Sequence, residues 1–94
     1  MDRRLNTIEY SSSFERSLEK YIKRLDRRDQ SLILKRLQIF TEDPFDNRLK
    51  TYKLHGPMSD RYAFSINKSD RIIFRFVASG HVLLLDVDNH DVYR

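Results

Sequence analysis

The sequence predicts an α+β fold, with a helical hairpin in the first half packed on an antiparallel sheet of about four strands in the second. Up to Pro44 the apolar residues recur at helical spacing, and after it they alternate with polar ones. Helices followed by consecutive strands favour two layers, one helical and one a sheet. A chain of 94 residues without repeats or a linker is expected to form one domain, residues 1–94.

The N-terminal segment predicts a short strand and then an amphipathic helix. Residues 5–10 alternate in the manner of a strand. Ser12 and Glu15 have the S-x-x-E spacing of a capping box, which marks a helix start. The predicted helix runs from about Ser13 to Asp26, with a basic side opposite its apolar stripe. That stripe consists of Phe14, Leu18, Tyr21, Ile22 and Leu25.

A second helix is predicted from near Asp29, and it ends before Asp43-Pro44 because proline disfavours continued helix. Arg27-Arg28 would join the two helices into an antiparallel hairpin. The main apolar face of the second helix is formed by Ile33, Leu34, Leu37 and Phe40.

Three strands are predicted after Pro44. The segments Arg61 to Ile66 and Arg71 to Val77 have strand-like alternation or composition, and Ser79-Gly80 marks a turn into His81 to Val87. The apolar run Leu83–Leu85 indicates a central strand that is covered on both faces.

Composition narrows the classes of protein and site. The absence of cysteine excludes disulfides and thiolate metal sites, and three scattered histidines do not form a zinc signature. No apolar run approaches the roughly 20 residues that span a bilayer, and no apolar stretch follows Met1 as in a signal peptide. We expect a cytoplasmic protein without metal or other cofactor. The net charge of +4 permits binding to nucleic acid or to an acidic protein.

Arg71, His90 and Tyr93 are the candidates for chemistry. Arg71 opens the strongest predicted strand, where its planar fork could bind a phosphate, or where it could simply pair with Asp70 at a solvated strand end. His90 could transfer protons near neutral pH, or it could be an ordinary surface histidine. Tyr93 could stack on a base or donate a proton, or its ring could cover a sheet edge.

Gly56 lies among possible phosphate-binding groups. The simpler interpretation is a turn into the next strand. Under the functional interpretation, the groups that would contact phosphate are Lys53, His55 and Arg61.

These segments together resemble the RelE/ParE toxin superfamily. The resemblance is found in three segments, Lys53-Leu54-His55-Gly56, Arg61 to Ile66 and Asp70-Arg71-Ile72-Ile73-Phe74. The closing segment, Leu84 to Tyr93, resembles the ending of its RelE/YafQ-like mRNA interferases, and the likeness covers nearly the whole chain.

The resemblance implies a RelE-like fold and a toxin that cleaves mRNA in the ribosomal A site without a metal. It further implies that a cognate antitoxin protein binds and neutralises the toxin. By position, Arg71 would stabilise the phosphorane, His90 would act as general acid or base, and Tyr93 would be the tail aromatic. The secondary RNA contacts would be Lys53, His55 and Arg61.

The closing segment departs from the family pattern, which leaves two alternatives open. Tyr93 follows His90 by three positions, where the family has four, and Asp86 stands where the family has an arginine. The alternatives are a ParE-like inhibitor of DNA gyrase on the same fold, or a catalytically degenerate toxin that only binds its antitoxin.

Overall fold

The computed structural model describes residues 3–89, which form a five-stranded sheet with two helices. Two 3-10 turns, Asn47–Leu49 and Gly56–Met58, flank the second strand. Within this part of the chain, neither helix has the length and apolar content needed to cross a membrane. In chain order the elements are β1 (Thr7–Tyr10), α1 (Ser12–Lys23), α2 (Arg27–Glu42), β2 (Tyr52–Lys53), β3 (Tyr62–Ser65), β4 (Asp70–Ala78) and β5 (His81–Asn89).

The sheet has the order β1-β5-β4-β3-β2. Strands β3 to β5 pair antiparallel, as predicted. The short strand β2, which was not predicted, pairs antiparallel with β3, and β1 joins the free edge of β5 in parallel. The predicted helical hairpin on a sheet is confirmed, but the sheet has five strands rather than about four, and it is mixed rather than wholly antiparallel. A parallel pair needs a long crossover, which the intervening helices and strands provide here.

Both helices begin earlier than the sequence predicted. Ser11, not Ser12, caps α1: its backbone is extended and its Oγ accepts a hydrogen bond from the Phe14 amide at 3.0 Å. Asp26 caps α2 in the same way, accepting from the amide of Asp29 at 2.9 Å. Helix α1 must therefore end before Asp26, and Arg27-Arg28 belongs to the first turn of α2 rather than to the connection.

The core between helices and sheet is centred on Phe40 of α2. Its ring stacks on Phe64 with 4.2 Å between centroids and meets Phe74 edge-on at 4.9 Å. From α1, Phe14 and Tyr21 are buried against the same layer. Aromatic rings thus form the centre of a small core, and aliphatic side chains fill the space around them.

Leu34 was predicted to share the apolar face of α2, and this is wrong because it is 67% exposed. Ile33 and Phe40 are buried and Leu37 packs against them. These three residues follow the three- and four-residue spacing of one helical stripe, whereas Leu34 lies about 100° away from Ile33.

The β4–β5 hairpin contains two irregularities. Gly80 in its turn has φ +71°, which glycine adopts without strain. Val77 on β4 and Leu85 on β5 have no partner across the hairpin, so each is a β-bulge. The carbonyl of Leu85 instead accepts hydrogen bonds from the hydroxyls of Ser11 and Ser13, at 3.1 and 3.2 Å. The start of α1 is thereby attached to the middle of β5.

Candidate functional site

Arg71 lies on β4 between two neighbours in the sheet, Ser65 of β3 and Asp88 of β5. Its Nε donates to Oδ2 of Asp88 at 2.7 Å. The Arg71 side chain is 23% exposed and that of Asp88 is 11% exposed. No acceptor among the described residues meets the terminal amino groups of Arg71, so they can donate to a ligand.

Tyr52 holds the Arg71 side chain from the other side. The guanidinium carbon of Arg71 lies 5.6 Å from the centroid of the Tyr52 ring, within the range of a cation–π interaction. Tyr52 belongs to β2, at the edge of the sheet, and is 42% exposed. A carboxylate and an aromatic ring therefore both restrain the orientation of this guanidinium.

Asp70 does not pair with Arg71, as one interpretation of the sequence had it. Successive residues of a strand point to opposite faces, and the side chain of Asp70 is buried towards α1. It accepts a short hydrogen bond from the Tyr21 hydroxyl and a second from Asn67 Nδ2 at 2.9 Å. Burial and the neighbouring Asp70 carboxylate raise the pKa of Tyr21 above its ordinary value.

Asn67 completes this network and fixes the turn before β4. Its Nδ2 also donates to the Tyr21 hydroxyl at 2.8 Å, and its Oδ1 accepts from the amides of Ser69 and Asp70 at 2.9 and 2.7 Å. The turn that leads into Arg71 is thus hydrogen-bonded to itself and to α1. This arrangement places Arg71 on a rigid part of the fold.

The predicted contacts Lys53, His55 and Arg61 lie around the connection from β2 to β3. Lys53 and His55 are exposed, and the carbonyl of Arg61 accepts from the amide of Leu54 at 2.9 Å. Arg61 precedes Ser65 by four residues along β3, which corresponds to about 13 Å at the usual rise of a strand. Arg61 is therefore distant from Arg71, whereas Lys53 directly follows Tyr52, whose ring contacts Arg71.

Arg75 was missed by the sequence analysis. It lies four residues after Arg71 on β4, so it shares the face of Arg71, and it is partly buried opposite Leu83. The sequence could have identified Arg75, because Arg71, Ile73 and Arg75 alternate with apolar core residues in the segment Arg71 to Val77 and so share one face of the strand. Two arginines therefore occupy one face of the central strand.

His90 and Tyr93 lie outside the described residues, and their roles stay predictions. The described part of β5 ends at Asn89, which pairs with Asp70. Within residues 3–89, no group of three or more His, Asp or Glu side chains is arranged to hold a metal ion.

Comparison of the chain with known proteins gives matches in structure only. No protein-family model matches the sequence, and no curated protein is significantly similar to it. A YoeB/ParE toxin from Agrobacterium tumefaciens superposes with a TM-score of 0.72 and 21% identity, covering 89% of this chain and 98% of that one. YafQ from E. coli strain BL21(DE3) superposes with a TM-score of 0.69 and 16% identity, over 92% and 94% of the two chains.

A chain in the toxin–antitoxin complex RelBE2 from Mycobacterium tuberculosis superposes equally well, with a TM-score of 0.68, 16% identity and 92% of each chain covered. The protein has the RelE-like toxin fold. The resemblance inferred from the sequence is confirmed at the level of the fold, including the helical hairpin on the sheet. In this RelE-like fold, Arg71 occupies the central strand, and its orientation is restrained by Asp88 of the neighbouring β5 and by Tyr52 of β2.

Proposed function

We propose that this protein is the toxin of a type II toxin–antitoxin system, a cytoplasmic endoribonuclease that cleaves mRNA in the ribosomal A site without a metal. Residues 1–94 would form a single toxin domain. The observation that carries the proposal is the guanidinium of Arg71, which Asp88 and Tyr52 restrain while its terminal amino groups remain able to donate. A planar fork fixed on a rigid strand suits a phosphate whose charge increases during reaction.

In the proposed reaction, the ribose 2′-oxygen attacks the adjacent phosphorus and the bond from phosphorus to the 5′-oxygen breaks. A base takes the proton of the 2′-hydroxyl, and an acid gives a proton to the leaving 5′-oxygen. The products are a 2′,3′-cyclic phosphate and a free 5′-hydroxyl. Arg71 would stabilise the extra negative charge of the phosphorane, a contribution typically of about 10²–10³ in rate for one well-placed donor.

His90 is proposed as the general acid or base and Tyr93 as an aromatic that stacks on a base or donates a proton. In support, His90 follows directly on Asn89, two residues beyond Asp88, which contacts Arg71. A histidine with a near-neutral pKa can transfer protons in either direction. Further along the RNA, phosphate or base contacts are proposed for Lys53, His55 and Arg61.

The antitoxin is proposed to bind a groove on the helical side of the molecule. The groove has a volume of about 380 Å³ and is lined mainly by apolar side chains from β1, α1 and α2. Tyr10 at the groove is 56% exposed, and Glu15 and Glu19 give its wall a negative charge. A segment with apolar anchors and basic residues would match this surface. Solved complexes with this fold, RelBE2 and E. coli DinJ–YafQ, contain a toxin with its antitoxin.

The function can be tested by brief induction of the protein in cells, followed by mapping of the 5′ ends of cellular mRNA. We expect growth arrest and new 5′ ends within translated codons. Arg71→Ala should abolish both effects, whereas Arg28→Ala, at an exposed position of α2, should leave them unchanged. A toxic, folded Arg71→Ala variant would refute the site.

Two other results would select the alternatives. A DNA damage response without mRNA cleavage would indicate a gyrase inhibitor on the same fold. A folded protein that binds an antitoxin but causes no growth arrest would indicate a catalytically degenerate toxin.

A further inference from the structure

A second positively charged site lies at the edge of the sheet beside β3. It is a cleft of about 450 Å³ between α2, the turn Asn47–Leu49 and the β3–β4 turn. Among the described residues, none that lines it is acidic. We call it the basic cleft, and its charged residues are Arg36, Arg48, Lys50 and Lys68.

The two arginines of the basic cleft are already engaged within the protein. Arg48 donates from Nε and Nη2 to the two carboxylate oxygens of Asp46, both at 2.9 Å. This pair holds the pKa of Asp46 down to about 2. Arg36 donates a short hydrogen bond from Nη1 to the backbone carbonyl of Arg48. The arginines therefore form the wall of the cleft and tie it to α2.

The two lysines supply the unbalanced charge. Lys50 and Lys68 are exposed, and neither has an ion-pair partner among residues 3–89. An unpaired cation beside a concave surface attracts an anionic ligand without first having to break an internal salt bridge.

Lys50 also adopts a backbone conformation that a lysine does not favour. Its φ of +51° and ψ of +43° lie in the left-handed region, at the end of the turn Asn47–Leu49. Glycine or asparagine fits this position with less strain. A strained conformation occupied by a long charged residue suggests that the side chain itself is used.

The basic cleft borders β3 beside Arg71 on the helical side of the sheet, whereas the Arg71 side chain lies on the opposite face. Ser65 lines the cleft and is also the residue directly opposite Arg71 on the neighbouring strand. Ser65 lies beyond the end of β2, and adjacent strands are about 4.8 Å apart, so one polymer that crosses the sheet edge at Ser65 could contact Arg71 on one face and the lysines of the cleft on the other. RNA has a negative charge at every nucleotide and fits such a series of cations better than an acidic protein segment, which would need carboxylates at matching spacing.

We propose that the basic cleft binds the phosphate backbone of single-stranded RNA next to the phosphate at Arg71, with Lys50 and Lys68 as the contacts. The identification of the polymer as RNA rests on the proposed function. It adds a binding site outside the reacting centre, one that sets which stretch of RNA is held rather than how it is cut.

The test measures binding of a fluorescent 12-nucleotide single-stranded RNA, 2′-O-methylated throughout so that it cannot be cut, at several KCl concentrations. Each lost phosphate contact should reduce the slope of log affinity against log salt by about 0.7. The variant Lys50→Gly/Lys68→Ala should therefore lose about 1.4 from the slope, with an unchanged or higher Tm because glycine relieves the strain at position 50. The matched control, Lys20→Ala/Lys23→Ala, loses the same charge from α1 and should keep the slope.

A second arm measures binding to empty small ribosomal subunits. A loss of affinity with the oligonucleotide identifies messenger-like RNA as the source of the phosphates, and a loss with the empty subunits identifies ribosomal RNA. An unchanged slope in both arms overturns the inference, as does a loss of affinity that appears only with an acidic polypeptide such as polyglutamate.

These results are separable from those for cleavage. Cleavage that depends on Arg71, with no change of slope in the lysine variant, would refute the basic cleft but not the proposed nuclease. A reduced slope in a protein that cuts no RNA would refute the nuclease but not the basic cleft.

Discussion

The carboxylate of Asp88 holds the guanidinium of Arg71 across the β4–β5 pair, with 2.7 Å between Oδ2 and Nε. Both side chains are largely shielded from water, so the pair is less screened than an exposed salt bridge. Among residues 3–89, only one nitrogen of the guanidinium has a hydrogen-bond partner. The same contact therefore orients Arg71 and leaves its outer nitrogens for a phosphate.

Asp88→Ala should reduce RNA cleavage by tenfold or more, because a misplaced catalytic group loses rate steeply. The free energy of unfolding should fall by about 1.5–3 kcal/mol, the range expected for a lost hydrogen bond to a charged group. Single-turnover cleavage and urea denaturation would measure the two effects separately.

Asp86→Ala provides the matched control for Asp88→Ala on the same strand. Asp86 is exposed and accepts a hydrogen bond from Ser17 at 2.7 Å, without contact to Arg71 in any described interaction. Equal cleavage rates in the two variants would contradict an orienting role for Asp88.

Tyr52→Leu should weaken the restraint on Arg71 and reduce cleavage about twofold to fivefold. The expected loss corresponds to about 0.5–1 kcal/mol, the usual size of a cation–π interaction at a partly exposed site. Tyr52→Phe keeps the aromatic face and should cleave like the unaltered protein. If the phenylalanine variant loses as much rate as the leucine variant, the Tyr52 hydroxyl rather than the ring is responsible.

The stability of the protein should depend on pH above 10 through Tyr21. Its pKa is raised in the folded state, which therefore keeps the phenol proton more tightly than the unfolded chain does. The stabilising contribution is complete below pH 10 and is lost as the pH rises towards the folded pKa, with a slope of up to about 1.4 kcal/mol per pH unit. Urea denaturation between pH 8 and pH 11 would measure this decline.

Tyr21→Phe removes the titrating group and leaves one fewer donor to the buried Asp70. We expect a free energy of unfolding lower by about 1–3 kcal/mol at pH 8 and a shallower decline above pH 10. A variant with the same alkaline slope as the unaltered protein would show that another group controls the transition.

Ile33→Ala should lower the free energy of unfolding by about 2–4 kcal/mol, because Ile33 is 3% exposed and its loss leaves a cavity. Leu34→Ala, at the adjacent but 67% exposed position, should change it by less than about 0.5 kcal/mol. Urea denaturation of the pair would test the position of the buried stripe of α2. Similar losses in both variants would contradict it.

Local sequence patterns were sufficient for the helices, for the main hairpin and for Arg71 on its central strand. The helices begin earlier than predicted because Ser11 and Asp26 are the N-caps. The sequence offers several polar residues at each helix start, so it did not distinguish these two from their neighbours. The parallel pairing of β1 could not be predicted, since it joins residues more than seventy positions apart.

The partners of the site residues were not predictable for a related reason. Arg71 and Asp70 are neighbours in sequence, but a strand directs them to opposite faces, where they meet Asp88 and Tyr21. Both contacts depend on which segments pair and in which register. The position of Arg75 was predictable, because the two-residue period of the strand already places it on the same face as Arg71.

The unpaired Leu85 reverses the alternation of side chains along β5, so that residues before and after it follow opposite odd–even patterns. In a regular strand all even-numbered residues share one face, yet Leu84 is buried in the core while Asp88 lies beside Arg71. Removal of Leu85 would delete the extra residue and keep Asp88 opposite Arg71, whereas removal of Val87 would bring Asn89 to that place. The site therefore tolerates a change of strand length at one position and is disrupted by the same change two residues later.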